Sequence, residues 1–241
     1  LDQVDLDKEL KKPNWKSGSR FLLSGTKPDE ISPLTLEGRS LTIEFADNQP
    51  PAFRVQYRGS PKDPLFTISN ASIKLKNVRF HLPNKTRGAL PSWMLSVSNG
   101  SLVVEGSSLT GPYAANDVHQ GLIHWGTREG RTLGETDPLR HTLLVDSSYL
   151  RTRGTVVSVS GSEGRVEIDG SLLAAQGVCL DYQFSSVAEA LPIRTEMMRS
   201  TLAASEAVFQ IRGTPDDQLS RRGEFFMVGF FMSFENYVTL C

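Results

Sequence analysis

The sequence predicts an all-β protein: a right-handed parallel β-helix, or solenoid, of about six or seven rungs with long inter-rung loops. The first observation behind this is a spacing, in which an apolar pair two residues apart is followed three residues on by a second pair. Ile73, Leu75, Val78 and Phe80 carry it, as do Leu102, Val104, Ser107 and Leu109. Leu143, Val145, Ser148 and Leu150 repeat it, then Val166, Ile168, Ser171 and Leu173. Thr195, Met197, Ser200 and Leu202 form a weaker copy, and Leu41, Ile43 and Ala46 a degraded one. A strand sends alternate side chains to opposite faces, yet offsets of 0, 2, 5 and 7 change parity once, in the middle. A helix, at about 100° per residue, scatters the same positions around its cylinder. Two short strands meeting at a corner that consumes one residue account for the change.

The second observation is the residue at that corner: Phe45, Asn77, Gly106, Ser147, Gly170 and Arg199 in successive copies. Gly and Asn accept left-handed backbone angles at little cost, and the first and last copies, which lack them, sit at the ends of a stack. The third is a further apolar pair outside each copy: Phe66/Ile68, Leu95/Val97, Val157/Val159, Val178/Leu180 and Ala207/Phe209. It implies three strands per rung. Turn residues such as Ser98-Asn99-Gly100-Ser101 and Ser160-Gly161-Ser162-Glu163-Gly164 separate the pairs.

In chain order, Leu1–Pro13 reads as a short amphipathic helix (Val4, Leu6, Leu10) or a linker. Phe21–Leu23 and Leu34–Leu36 lead into the first coil, so residues 1–35 are expected to form a cap and 36–241 the β-helix domain. An open stack end exposes unpaired strand edges, which such a cap covers. The long excursion Gly111–His141 projects Tyr113, His119, His124 and Trp125 from one face, and Asp181–Pro192 makes a shorter one. The apolar run Phe225–Phe234 reads as a final rung or its cap, or as a sticky surface for a partner. It is roughly half the length a membrane span requires. Ser107, Ser148, Ser171 and Ser200 fall at one position of successive copies, where a column of hydroxyls can bond to neighbouring backbone.

The cassettes FTISNASIKLKNVRF (Phe66–Phe80) and LSVSNGSLVVEGSSL (Leu95–Leu109) resemble rungs of the pectin-lyase-like right-handed parallel β-helix superfamily, and the likeness covers roughly Leu36 to Ile211. More narrowly, RVEIDGSLLAAQGVCLDY (Arg165–Tyr182) and MRSTLAAS (Met198–Ser205) are similar to β-helix regions of large planctomycete proteins, several of them serine/threonine kinases. The resemblance implies a recognition or scaffold region, without a kinase domain of its own, in the extracytoplasmic part of a membrane-anchored or secreted bacterial protein. The superfamily also contains polysaccharide lyases and hydrolases with acidic sites, which implies the rival reading of a carbohydrate-active enzyme.

Composition narrows the partners. With 26 basic against 27 acidic residues and a net charge of -1, the chain lacks the electrostatic signature of a nucleic-acid or anionic-membrane binder. Two cysteines exclude a disulfide framework. Strict alternation points the Cys179 side chain outward, beside the apolar Val178 and Leu180. Leu1–Lys12 is charged throughout, unlike a signal peptide, and the start without Met suggests an excised segment.

The candidate site lies on the outward columns of the first strand. One reads Thr42, Lys74, Val103, Leu144, Glu167, Glu196 and the other Glu44, Lys76, Glu105, Asp146, Asp169, Met198. Glu105, Asp146, Glu167, Asp169 and Glu196 would share one exterior sheet, where close like charges raise one another's pKa. Paired carboxylates serve glycoside hydrolysis, and the same oxygens would suit Ca²⁺; an ion-paired, solvated face is the other reading. No arginine occupies these two columns. His124 and Trp125 add a candidate sugar-binding pair, with Trp125 read alternatively as an anchor for the long loop. No Cys or acid completes a zinc spacing around His119 and His124.

Overall fold

The computed structural model describes residues 16–23, 29–31, 33–45, 53–57, 59–84, 89–113, 119–127, 141–161, 164–184 and 193–213. These residues are all-β and contain no helix. Their strands fall into seven successive triplets. The first is β1 (Ser19–Leu23), β2 (Asp29–Ile31) and β3 (Leu34–Glu37); the second β4 (Leu41–Phe45), β5 (Phe53–Tyr57) and β6 (Phe66–Ser69). Next come β7 (Ser72–Lys76), β8 (Arg79–His81) and β9 (Trp93–Ser98), then β10 (Ser101–Glu105), β11 (Ser108–Thr110) and β12 (Gly121–Gly126). The fifth is β13 (Thr142–Asp146), β14 (Tyr149–Thr152) and β15 (Thr155–Ser160); the sixth β16 (Gly164–Asp169), β17 (Leu172–Ala175) and β18 (Val178–Phe184). The last is β19 (Ile193–Met198), β20 (Thr201–Ala204) and β21 (Ala207–Gly213).

Each triplet gives one strand to each of three seven-stranded parallel sheets, in orders β1-β4-β7-β10-β13-β16-β19, β2-β5-β8-β11-β14-β17-β20 and β3-β6-β9-β12-β15-β18-β21. This cycling fits a β-helix. The stack begins at Ser19, inside the stretch read from sequence as a cap, because Phe21 pairs with Ile43 in the first sheet. The Leu1–Pro13 and Phe225–Phe234 readings lie outside the described residues.

The apolar copies align in register. Leu41, Ile73, Leu102, Leu143, Val166 and Thr195 are successive partners in the first sheet. In the second, Phe80, Leu109, Leu150, Leu173 and Leu202 are successive partners. Inward positions of the three sheets form a single core, with Ile43, Leu75, Val104, Val145 and Ile168 all buried. The corner between first and second strands is left-handed in five copies: Asn77 (φ 52°), Gly106 (57°), Ser147 (49°), Gly170 (55°) and Arg199 (49°). The final copy therefore makes the same turn although it lacks Gly or Asn.

The serine column is a hydrogen-bonded ladder. The backbone N–H of Val78 donates to Ser107 Oγ (3.1 Å), Ser107 N–H to Ser148 Oγ (3.0 Å), Ser148 N–H to Ser171 Oγ (3.0 Å) and Ser171 N–H to Ser200 Oγ (3.1 Å). Each hydroxyl in turn donates within its own corner, as Ser171 Oγ does to Asp169 O at 2.7 Å.

The third sheet departs from strict alternation. Consecutive residues Met94-Leu95, Leu122-Ile123, Val156-Val157 and Cys179-Leu180 are all buried in the core. Cys179 is therefore inside, its Sγ 3.2 Å from Ala203 O, contrary to the outward orientation read from sequence. The inward pairs of the last two triplets also lie two residues later than expected. Leu180 and Tyr182 partner Val157 and Val159, and Phe209 and Ile211 follow them. The Gly111–His141 excursion is likewise corrected, since Gly121–Gly126 is the third-sheet strand of its triplet. Its Ile123/Trp125 pair carried the signal, but the long flanks hid it.

Candidate functional site

The first sheet places the candidate carboxylates as the columns predict: Glu105, Asp146 and Asp169 are successive register partners, and Glu167 partners Glu196. Cations are interleaved with them. Lys74 Nζ lies 2.5 Å from Glu105, and Lys76 lies 3.8 Å from both Glu105 and Glu44. Arg20 is 2.6 Å from Glu44. Further along, Arg165 bridges Glu167 (2.5 Å) and Glu196 (3.1 Å), while Arg194 reaches Glu196 at 2.6 Å. The Arg199 fork pairs with Asp169, its Nε 2.9 Å from Oδ1. Asp146 accepts a hydrogen bond from the Ser147 hydroxyl at 2.9 Å.

The electrostatic sign follows from this interleaving. Hydrogen bonds from Lys74, Arg199 and Arg165 hold Glu105, Asp169 and Glu196, respectively, below the usual carboxylate range. For these three groups the cations outweigh the mutual repulsion expected from the acidic column. The sequence columns already hold Lys74 and Lys76, but not the arginines, because Arg165 and Arg194 occupy a third outward position, one alternation before them. Arg199 was counted only as a corner residue.

His124 and Trp125, adjacent in β12, face opposite ways. Trp125 is fully buried (0 % exposed), and its indole N–H donates to Gly100 O at 3.0 Å. It is the core anchor of the two sequence readings and offers no surface on which a sugar could stack. His124 points outward between Ser96 and Ser158 in register, its ring packed on Trp93 at 5.4 Å. Nδ1 lies 3.5 Å from Ser96 Oγ and Nε2 3.3 Å from Ser160 Oγ. Burial pushes its pKa down. The acid in that register column is Asp181, a strand beyond Ser158. Only 2 % exposed, Asp181 is tied to Gln183 Nε2 (2.8 Å) and to Arg212 Nε (3.1 Å). Among the described residues no carboxylate bonds to the His124 ring.

A cavity of about 240 Å³ opens where the second sheet turns into the third, lined by His119, Arg153, Gly177, Glu206 and Arg212 among others. His119 Nδ1 donates to Pro91 O at 2.8 Å, which fixes the neutral tautomer with an acceptor lone pair on Nε2; burial pushes the pKa down. Among the described residues, that Nε2 and Thr152 Oγ1 are buried without a hydrogen-bond partner. Both flank Gly111, where a Cβ would stand 2.4 Å from Thr152 Oγ1 and 3.0 Å from His119 Nε2. Among the described residues no group of three His, Cys, Asp or Glu could hold a metal ion.

No family model, curated protein or solved structure matches this chain. Among the described residues no helix is long and apolar enough to cross a membrane.

Proposed function

We propose that this chain is a non-catalytic right-handed parallel β-helix serving as a recognition or scaffold region of a larger bacterial protein. The cycling of strands through three parallel sheets supports the β-helix, and parallel crossovers are right-handed almost without exception. The rung resemblance suggests a membrane-anchored serine/threonine kinase as the parent, with this segment as its extracytoplasmic sensor.

One observation carries the non-catalytic reading. Glu105, Glu167, Asp169 and Glu196 are each engaged by lysine or arginine. A glycosidase needs one carboxyl with a raised pKa to protonate the leaving group, whereas Glu105, Asp169 and Glu196 are held below the usual carboxylate range.

The test is incubation of the chain with polygalacturonate and a panel of neutral glycans, with and without calcium, followed by product detection. No cleavage is expected. Turnover that disappears in an Asp146→Ala/Asp169→Ala double variant would instead make the protein a carbohydrate-active enzyme.

A further inference from the structure

We infer that the outer face of the second sheet is a docking surface for an acidic protein segment that also carries aliphatic side chains. The inference rests on the recognition reading above and names the kind of partner that reading requires.

The first and second sheets treat charge in opposite ways. Among the described outward residues of the first sheet, arginines and lysines are paired with carboxylates. The outward positions of the second sheet from β8 to β20 run Arg79 and His81, Ser108 and Thr110, Tyr149 and Arg151, Leu172 and Ala174, then Thr201 and Ala203. None of them is acidic. Arg79 and Arg151 are exposed, and neither forms an ion pair among the described residues. The Arg151 guanidinium lies over the Tyr113 ring, 4.0 Å from its centroid, with both groups open to solvent. Such a stacked, planar fork is held in place to meet a carboxylate, phosphate or sulfate bidentately.

Three arguments select an acidic polypeptide. Two arginines on a chain of net charge -1 are too few for the multiple phosphate contacts that drive nucleic-acid binding. Sugar hydroxyls want carboxylate and amide partners, yet this face offers Leu172 (38 % exposed), Ala174 and Ala203, which suit aliphatic side chains. The spacing also fits. Arg79 and Arg151 sit two strands apart and two residues out of register, about 12 Å, close to the separation of carboxylates four residues apart on an extended peptide.

The probe is a short fluorescent peptide of alternating glutamate and leucine, titrated with the intact chain at low salt and read by anisotropy. Arg79→Gln/Arg151→Gln should weaken binding about tenfold or more, and added salt should do the same. Lys62→Glu, which changes net charge equally at an exposed site elsewhere, should leave binding unchanged. Should the glutamine variant lose its native circular dichroism, Arg79→Lys/Arg151→Lys replaces it. That variant keeps the charge, loses the fork, and is expected to give a smaller but measurable loss. Absence of peptide binding, equal weakening by Lys62→Glu, or preferential binding of polygalacturonate or duplex DNA overturns the inference. Glycan turnover would sink the recognition reading separately, in an assay that does not use this peptide.

Discussion

The backbone N–H of Ser107 donates to the side-chain hydroxyl of Ser148, one triplet further along, at 3.0 Å. The same hydroxyl reaches Asp146 O at 2.6 Å and Val104 O at 3.2 Å, so one buried Oγ serves the corners of neighbouring triplets. A corner turning between two sheets leaves its N–H outside both ladders, and a buried unpaired donor costs free energy. Ser148→Ala strands the Ser107 N–H and should destabilise the chain by about 1–3 kcal/mol. Ser200→Ala, at a partly exposed rung where water can replace the hydroxyl, should cost less. Denaturant midpoints at constant m-value measure both; a Ser148 loss no larger than that at Ser200 would remove the ladder from the account of stability.

The corner residues offer a test in the stabilising direction. Ser147 holds φ at 49°, where the equivalent residues of adjacent triplets are Gly106 and Gly170. A left-handed non-glycine residue costs about 1–2 kcal/mol, and glycine's extra chain entropy offsets part of the gain on replacement. Ser147→Gly should therefore stabilise by up to about 1 kcal/mol, despite losing an exposed hydrogen bond to Asp146. Ser147→Val, β-branched at positive φ, should destabilise by more than that. If the two variants unfold at the same denaturant concentration, the left-handed corner is not what the position selects for.

These two positions also show what was legible. Offsets of 0, 2, 5 and 7 encode the first two sheets because one corner residue resets parity and the inward side chains are then apolar, serine or, at Thr195, threonine. The third sheet was harder to read, because consecutive buried residues such as Val156-Val157 break the alternation that placed Cys179 outside. Outward columns could be listed from parity alone, which is why Glu105, Asp146 and Asp169 align as expected. Lys74 and Lys76 stand in the same columns, but the arginine counter-ions could not be listed this way. Long side chains reach across strands, so Arg165 finds Glu196 at 3.1 Å from a different triplet. That Arg79 and Arg151 meet no carboxylate among the described residues was invisible for the same reason, being a property of the assembled face.

Acidification should weaken the fold in two stages. Burial holds the His119 and His124 pKa values below the ordinary 6.5, so the unfolded chain binds more protons than the native one as pH falls past that value. Stability is then lost from about pH 6.5 down to the lower native pKa values. Glu105, Asp169 and Glu196 have native pKa values lowered by Lys74, Arg199 and Arg165. Their contribution is present above the ordinary carboxylate range and disappears as pH falls through the native values. In urea titrations between about pH 7.5 and about pH 5, His119→Gln/His124→Gln should flatten the first stage, while the second, below that window, should persist. A wild-type midpoint that does not move across that window would contradict the burial of both imidazoles.

The Cys179 thiol reports on the third-sheet register directly. It is buried, within hydrogen-bonding distance of Ala203 O, and burial pushes its pKa up to about 12. Since the thiolate is the reactive form, Cys179 should resist alkylation and disulfide reagents at neutral pH while the chain is folded. Cys241→Ser removes the other thiol, leaving one group to count. In that variant we expect no reaction under native conditions and one thiol in guanidinium, at a rate set by unfolding. Had alternation persisted through β18, Cys179 would face solvent with an ordinary pKa and react within minutes. Prompt native labelling would therefore return it to the outer surface and restore the strict alternation in which Val178, Leu180 and Tyr182 alone point inward.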